Sequence, residues 1–326
     1  MTVKTRKLAT IFGGSGFVGT QLTQELARRG YSVRVAVRRP DLAGDVRMFG
    51  FPGQIQPIQA NLRYPESVAA AVRGADVVIN LVGILFEKGK QRFSAVQTQG
   101  AKTVAEAARA AGVERLVHMS AIGADPQSPS AYARAKALGE AEVKKAFPSA
   151  IIIRPSLIFG QHDGFFNMFG TLARMSPVMP VIGGKTRFQP IYVGDVAEAI
   201  AKAVDGEVSP GKTYELGGPE ILTMDEIIDR VLEETRRKRL KLPLPFALAK
   251  PLASVMSILP KPMLTPDQVV QLGIDNVVSE EAKKQKRTLE AFAIAPTTLD
   301  AVLPTYMWRF RKHGEFDRHT NPLTGN

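Results

Sequence analysis

The stretch Ala9-Thr10-Ile11-Phe12-Gly13-Gly14-Ser15-Gly16-Phe17-Val18-Gly19 constrains this chain more than any other. A short apolar run ends in a glycine-rich turn. The turn opens into Thr20–Ala27, whose apolar residues recur at helical spacing. Strand, turn and helix in that order are what a dinucleotide fingerprint requires. Gly13 would allow the tight turn, Gly16 would let the backbone approach a pyrophosphate, and Gly19 would let helix and strand pack closely. The first-turn N–H groups and the positive end of the helix dipole then suit phosphate. A plain strand–turn–helix uses glycines too, so the case rests on the strand before them and the helix after.

The same alternation continues along the chain. Ser32–Val37, Val77–Val82, Leu116–Met119 and Ala150–Ile153 read as buried strands, and Thr20–Arg29, Glu66–Val72, Thr98–Ala111 and Ala131–Ala146 as the helices between them. Strands separated by helices predict an α/β protein with a Rossmann doubly wound parallel sheet. After Phe159 glycine, proline and methionine become frequent, and Gly160–Gly184 reads as a loop-rich excursion. Residues Gln189–Val204 return to strand and helix. Asp195 with Glu198, and Thr223 with Glu226, read as capping boxes. The expected division is a nucleotide-binding domain at 1–163 completed by 186–205. A smaller, loop- and helix-rich C-terminal domain takes 164–185 and 206–312, and a polar tail takes 313–326.

Composition removes several classes of function. Without cysteine there are no disulfides, thiolate nucleophiles or Cys-ligated metals, and the four histidines lack metal-ligand spacing. No apolar run is long enough to span a bilayer, and the fingerprint begins too early for a long transit peptide. The net charge of +12 favours acidic partners. The basic runs, such as Arg236-Arg237-Lys238-Arg239, lack a helix-turn-helix, zinc-finger or RNA-binding signature, so no nucleic acid is expected. They read either as solvated helix faces or as half of a membrane-facing surface. The other half would be Leu242–Leu264, dense in leucine and proline, where a short helix from about Phe246 to Ile258 is expected. That segment reads as its own core, a protein contact, or a membrane-surface contact through 236–264.

The cofactor type is read at the end of the second strand. NAD-preferring sites place Asp or Glu there to bind the ribose hydroxyls. Here the strand ends Val37-Arg38-Arg39-Pro40, and Arg38 stands where a 2′-phosphate would lie, which favours NADP(H) over NAD(H). Asn61 and Leu62 follow a strand-like run and would reach the adenine. Asn80-Leu81-Val82-Gly83 would end the fourth strand beside the cofactor; both stretches also suit plain strand-end turns. Tyr132 and Lys136 lie four apart, on one helix face, where an ammonium lowers a phenol's pKa and makes it a usable acid or base.

Together, Gly13–Gly19, Asn80–Gly83, Tyr132–Lys136 and Arg154-Pro155-Ser156-Leu157-Ile158-Phe159-Gly160 resemble the extended or atypical short-chain dehydrogenase/reductases, a superfamily with epimerase and dehydratase members. The resemblance implies that Tyr132 and Lys136 match the catalytic pair and that Pro155 and Ile158 lie near the nicotinamide. Enzymes of this kind add a serine well upstream of the tyrosine. Only Ser120 is offered here, and its connection to Tyr132 is short, which argues against turnover.

A narrower resemblance runs through Tyr132–Gly160, Phe165–Phe169, Gln189–Val193 and Leu264–Val269. It is to the nucleotide-binding accessory subunits of respiratory complex I (NADH:ubiquinone oxidoreductase), the alpha-subcomplex subunit 9 family. It implies a mainly structural NADP(H), complex I subunits as partners, and a position near the quinone site. It also implies peripheral association with the cytoplasmic face of a bacterial inner membrane or the matrix side of the mitochondrial one. The alternative is a free-standing NADP-dependent reductase, epimerase or dehydratase linked to quinone metabolism.

Overall fold

A computed structural model describes residues 6–259 and 262–312. The expected polar tail, 313–326, lies outside the described residues. The first half of the chain runs β1 (Leu8–Phe12), α1 (Phe17–Arg28), β2 (Ser32–Val37), β3 (Ile55–Gln59), α2 (Pro65–Val72), β4 (Val77–Asn80), α3 (Gly100–Ala110), β5 (Arg115–Met119), α4 (Ala131–Ala146) and β6 (Ile151–Pro155). It continues through β7 (Ile158–Phe159), α5 (Phe165–Met175), β8 (Val178–Val181), β9 (Arg187–Phe188), β10 (Ile191–Tyr192), α6 (Val193–Asp205) and β11 (Thr213–Leu216). The remainder holds β12 (Leu222–Thr223), α7 (Met224–Glu234), β13 (Leu240–Pro243), α8 (Phe246–Met256), α9 (Pro266–Gln271), α10 (Glu280–Lys284), α11 (Leu299–Val302) and α12 (Pro304–Met307).

Seven strands form one parallel sheet in the order β11-β6-β5-β4-β1-β2-β3. The order reverses between β1 and β4, and ligands of doubly wound sheets bind in the crevice at such a switch point. Register aligns the carboxyl ends there: Phe12 lies opposite Ala36 and Asn80, and Asn80 opposite His118. The strands are near-continuous Val, Ile and Leu because both faces are covered. Leu22 and Leu26 of α1 and Val196 and Ile200 of α6 cover one face. Val68 of α2, Val104 of α3 and Val143 of α4 cover the other.

The sheet runs across the expected domain boundary. Thr213–Leu216, placed by the sequence in the C-terminal part, pairs with Ile152–Pro155 as the outer strand. Gly160–Gly184 is also more ordered than expected. It contains α5, whose first turn is held by the buried Asp163 carboxylate accepting from the Phe166 N–H at 2.6 Å, and whose Phe166 and Phe169 are buried. Asp195 is not the cap of α6. Tyr192 occupies that place, while Asp195 lies inside the first turn and accepts from the Thr297 N–H and Oγ1 at 2.7 and 2.8 Å. Glu198 pairs instead with Lys202. The Thr223–Glu226 capping box is present as expected.

Around α5, β8, α7, α11 and α12 a separate core forms from Phe159, Phe166, Ile227, Leu303, Met307 and Phe310. Helix α8 begins at Phe246, ends at Met256 and carries Pro251 in its interior. It docks through Ala249 and Ala253 onto Val269 of α9.

Candidate functional site

The glycine turn sits at the switch point between β1 and β4. Gly13 takes φ +83°, a conformation costly for any residue with a Cβ. Its N–H donates to Ala36 O and its carbonyl accepts from the Gly16 N–H, both at 3.0 Å. Gly19 has the tightest constraint in the turn. A Cβ there would lie 2.2 Å from Gly13 O and 2.7 Å from the Gly14 backbone. Gly16 is the N-cap of α1 and has no side chain to occupy the first-turn N–H groups, which stay available to a ligand. Val18 is buried, so only its backbone faces the turn.

A cavity of about 300 Å³ opens at this helix end, lined by Ser15, Gly16, Phe17, Thr20 and Gln21 on one side. Gln161 and His162 from the loop after β7, and Val302 and Thr305 from α11 and α12, line it as well. These residues fit a dinucleotide pyrophosphate: the glycines permit backbone approach, and the helix end is uncapped.

Neighbouring strand ends bring the other expected residues to the same edge. The Leu81 N–H donates to Phe12 O at 3.0 Å, and the Val82 N–H to Asn80 Oδ1 at 3.1 Å. A Cβ on Gly13 would meet Val82 Cγ2 at 3.4 Å, and one on Gly83 would meet Lys136 Nζ at 3.4 Å. Arg38 is exposed just after β2 and has no polar partner among the described residues, whereas Arg39 is held by Asp41 at 2.7 Å. Asn61 is used locally: its N–H donates to Ser67 Oγ at 2.7 Å and its Oδ1 accepts from the Arg63 N–H at 3.2 Å. Leu62 is buried where α3 passes, 3.1 Å from the position of a Cβ on Gly100. Pro155 is buried at the end of β6, and Ile158 pairs with Ile191 in a short two-stranded sheet beside it.

Helix α4 carries Tyr132 and Lys136. Lys136 is buried and donates to Met119 O at 3.1 Å, with its ammonium 5.9 Å from the Tyr132 ring centroid. Burial pushes its pKa down to about 8, against the opposing charge of Glu140. The Tyr132 ring meets the edge of Phe93 at 5.9 Å. Burial and the Asp267 charge push the phenol up to about 12, the wrong direction for a base at neutral pH. Ser120 Oγ is buried and unpartnered among the described residues, as are His118 Nε2 and Gln97 Oε1. His118 stays neutral: burial, with Lys136 nearby, pushes it down to about 3.

Two further residues at this edge escape sequence reasoning. Asp267, at the start of α9, accepts from the Ala131 and Tyr132 N–H groups at 2.6 and 3.2 Å and from Ser130 Oγ at 2.9 Å. It caps α4 from the other end of the chain. Asn276 accepts from Ser156 Oγ through both its carbonyl and Oδ1 at 2.7 Å, and donates from Nδ2 to Ile122 O at 3.3 Å. It ties the C-terminal chain across the ends of β5 and β6. The Thr265–Gln268 capping box is the local signal that could have placed α9.

Residues 13–206 match the model of a family described as NAD(P)H-binding. The chain is 35% identical over 320 residues to the NADH dehydrogenase [ubiquinone] 1 alpha subcomplex subunit 9 of Arabidopsis thaliana, covering 94% of this chain and 79% of that protein. It is 36% identical over 197 residues to a ceramide reductase of Caulobacter vibrioides, covering 60% and 61%. The fold is shared with a Citrobacter sp. triphenylmethane reductase complexed with NADP(H). That match has a TM-score of 0.71 at 19% identity, over 89% of this chain and 97% of the other. The chain belongs to the NAD(P)H-binding family that includes subunit 9 of the complex I alpha subcomplex.

Proposed function

We propose that this protein is an accessory subunit of respiratory complex I that holds NADP(H) as a mainly structural cofactor. The observation that carries the reading is similarity to subunit 9 over nearly the whole chain, including the C-terminal part. The site supports it. Asp267 and Asn276 tie the chain's own C-terminal segments over the edge where a substrate would enter. When bound, the nicotinamide supplies hydride chemistry; Gly13–Gly19, Leu81–Gly83, Tyr132, Lys136, Pro155 and Ile158 would hold it. NADP(H) is favoured over NAD(H) because Arg38, free of the acid that binds Arg39, faces no competing carboxylate. A dinucleotide bound only by the folded state stabilises it by occupancy.

The partners are complex I subunits near the quinone site, and the membrane side is met through 236–264. Ala249 and Ala253 of α8 are taken up by the chain's own core, and Phe246 at its start lies against Gly183 and Gly273. The protein works at the cytoplasmic face of a bacterial inner membrane or on the mitochondrial matrix side.

The second reading, a reductase of the same superfamily, is favoured by the unpartnered Ser120 Oγ beside an intact Tyr132 and Lys136, and by the ceramide reductase relative. Turnover separates the two. Purified protein carrying NADPH is mixed with quinones and long-chain ketones while NADPH absorbance is followed. The accessory reading expects no oxidation by the wild-type protein; oxidation abolished by Tyr132→Phe would establish the reductase.

A further inference from the structure

We infer that residues 297–310 form a strap that closes the dinucleotide pocket from outside, and that Tyr306 and Asp163 are the pair that holds it shut. The inference rests on the reading of the pocket as a dinucleotide site and concerns how the ligand is retained.

The strap is pinned at its entrance, where Thr297 donates through its N–H and Oγ1 to the buried Asp195 at 2.7 and 2.8 Å. Leu299, Leu303, Met307 and Phe310 then plant it in the C-terminal core. Between these anchors, Val302 and Thr305 turn to the pocket and face Gly16, Phe17 and Thr20 across it. The helix end that would bind phosphate therefore has its outer wall supplied by a segment about 290 residues further along the chain.

Asp163 is the junction. Its Oδ2 accepts from Tyr306 Oη at 2.8 Å and from the Gly160 N–H at 3.3 Å, while Oδ1 accepts from Phe166 at 2.6 Å. Gly160 leads directly into Gln161 and His162, which line the same pocket. One buried carboxylate thus fixes the strap and the loop facing it. Arg309 reinforces the closure by donating to Gln161 O at 3.0 Å. A ligand seated between strap and loop is held while they stay joined, and parting them breaks a buried, charge-assisted hydrogen bond.

The test is the rate at which bound NADPH is released from the full-length protein into excess NADP+, followed by nucleotide fluorescence. Tyr306→Phe deletes one hydroxyl and is expected to speed release roughly tenfold or more. Thr305 is exposed, so Thr305→Asp leaves the fold intact while placing a carboxylate opposite the phosphates. It is expected to weaken NADPH binding about tenfold in a salt-dependent way, whereas Thr305→Asn stays near wild type. Release and affinity unchanged in Tyr306→Phe and Thr305→Asp would overturn the strap and leave the dinucleotide site standing. Wild-type protein that binds no NADPH or NADH would overturn the site, and the strap with it.

Discussion

A methyl group on Gly19 would meet three backbone atoms of the turn it packs against, so glycine is imposed there by geometry. Arg38 has the opposite character: it is exposed, and its role is visible only through what it lacks. Its neighbour Arg39 is neutralised by Asp41, while Arg38 has no carboxylate beside it among the described residues. Arg38→Ala is therefore expected to weaken NADPH binding roughly 10- to 100-fold, the worth of charge-assisted phosphate bonds, and to leave NADH affinity unchanged. Calorimetric titration of both nucleotides checks this. Equal losses for the two would mean that Arg38 supports the fold instead.

His118 makes a prediction about acid. Burial drops its pKa from 6.5 to about 3, so below about pH 6.5 the unfolded chain binds a proton that the native protein refuses. Stability is then complete above that range and falls as the pH drops toward 3. For this one group the loss between about pH 7.5 and about pH 5 is about 2 kcal/mol. Urea unfolding at the two pH values should show a smaller loss in His118→Asn than in wild type. Equal losses in both proteins would assign the acid sensitivity to other groups.

At the scale of elements, local pattern and tertiary contact divide the chain between them. Strand Ser32–Val37 and helix Ala131–Ala146 are legible to the residue, because apolar spacing and boundary residues decide them locally. Helix α5 is not, since glycine and methionine obscure its period and its start depends on Asp163 and on aromatic packing. The glycine turn and the Tyr132–Lys136 pair can be read because their spacing is itself the signal. Asp267 on the end of α4, and the strap over α1, join positions more than a hundred residues apart, which no local pattern encodes.

Helix α8 was legible as an apolar element but not in its orientation. Its alanines face inward, while Leu248, Val255 and, just beyond its end, Ile258 are 62%, 67% and 83% exposed. An exposed apolar face that follows the basic run Arg236–Arg239 in sequence suits an anionic lipid surface. Leu248→Asp with Val255→Asp should abolish sedimentation with vesicles containing anionic lipid and leave the melting temperature in place. Undiminished sedimentation would remove α8 from the membrane contact.

For the whole molecule, the proposed function joins one nucleotide to one assembly. The parallel sheet carries the glycine turn at its switch point, and Asp267 and Asn276 tie C-terminal segments to the start of α4 and to the ends of β5 and β6. The outer face of α8 is exposed. Among the described residues no helix is long and apolar enough to cross a membrane. Native purification from gently solubilised membranes, with the copurified proteins and the retained nucleotide identified together, tests this most directly. The expected result is complex I subunits in the same particle and close to one NADP(H) per chain, not oxidised when substrate is added. A protein recovered free of complex I, exchanging its nucleotide rapidly and turning it over through Tyr132, would contradict it.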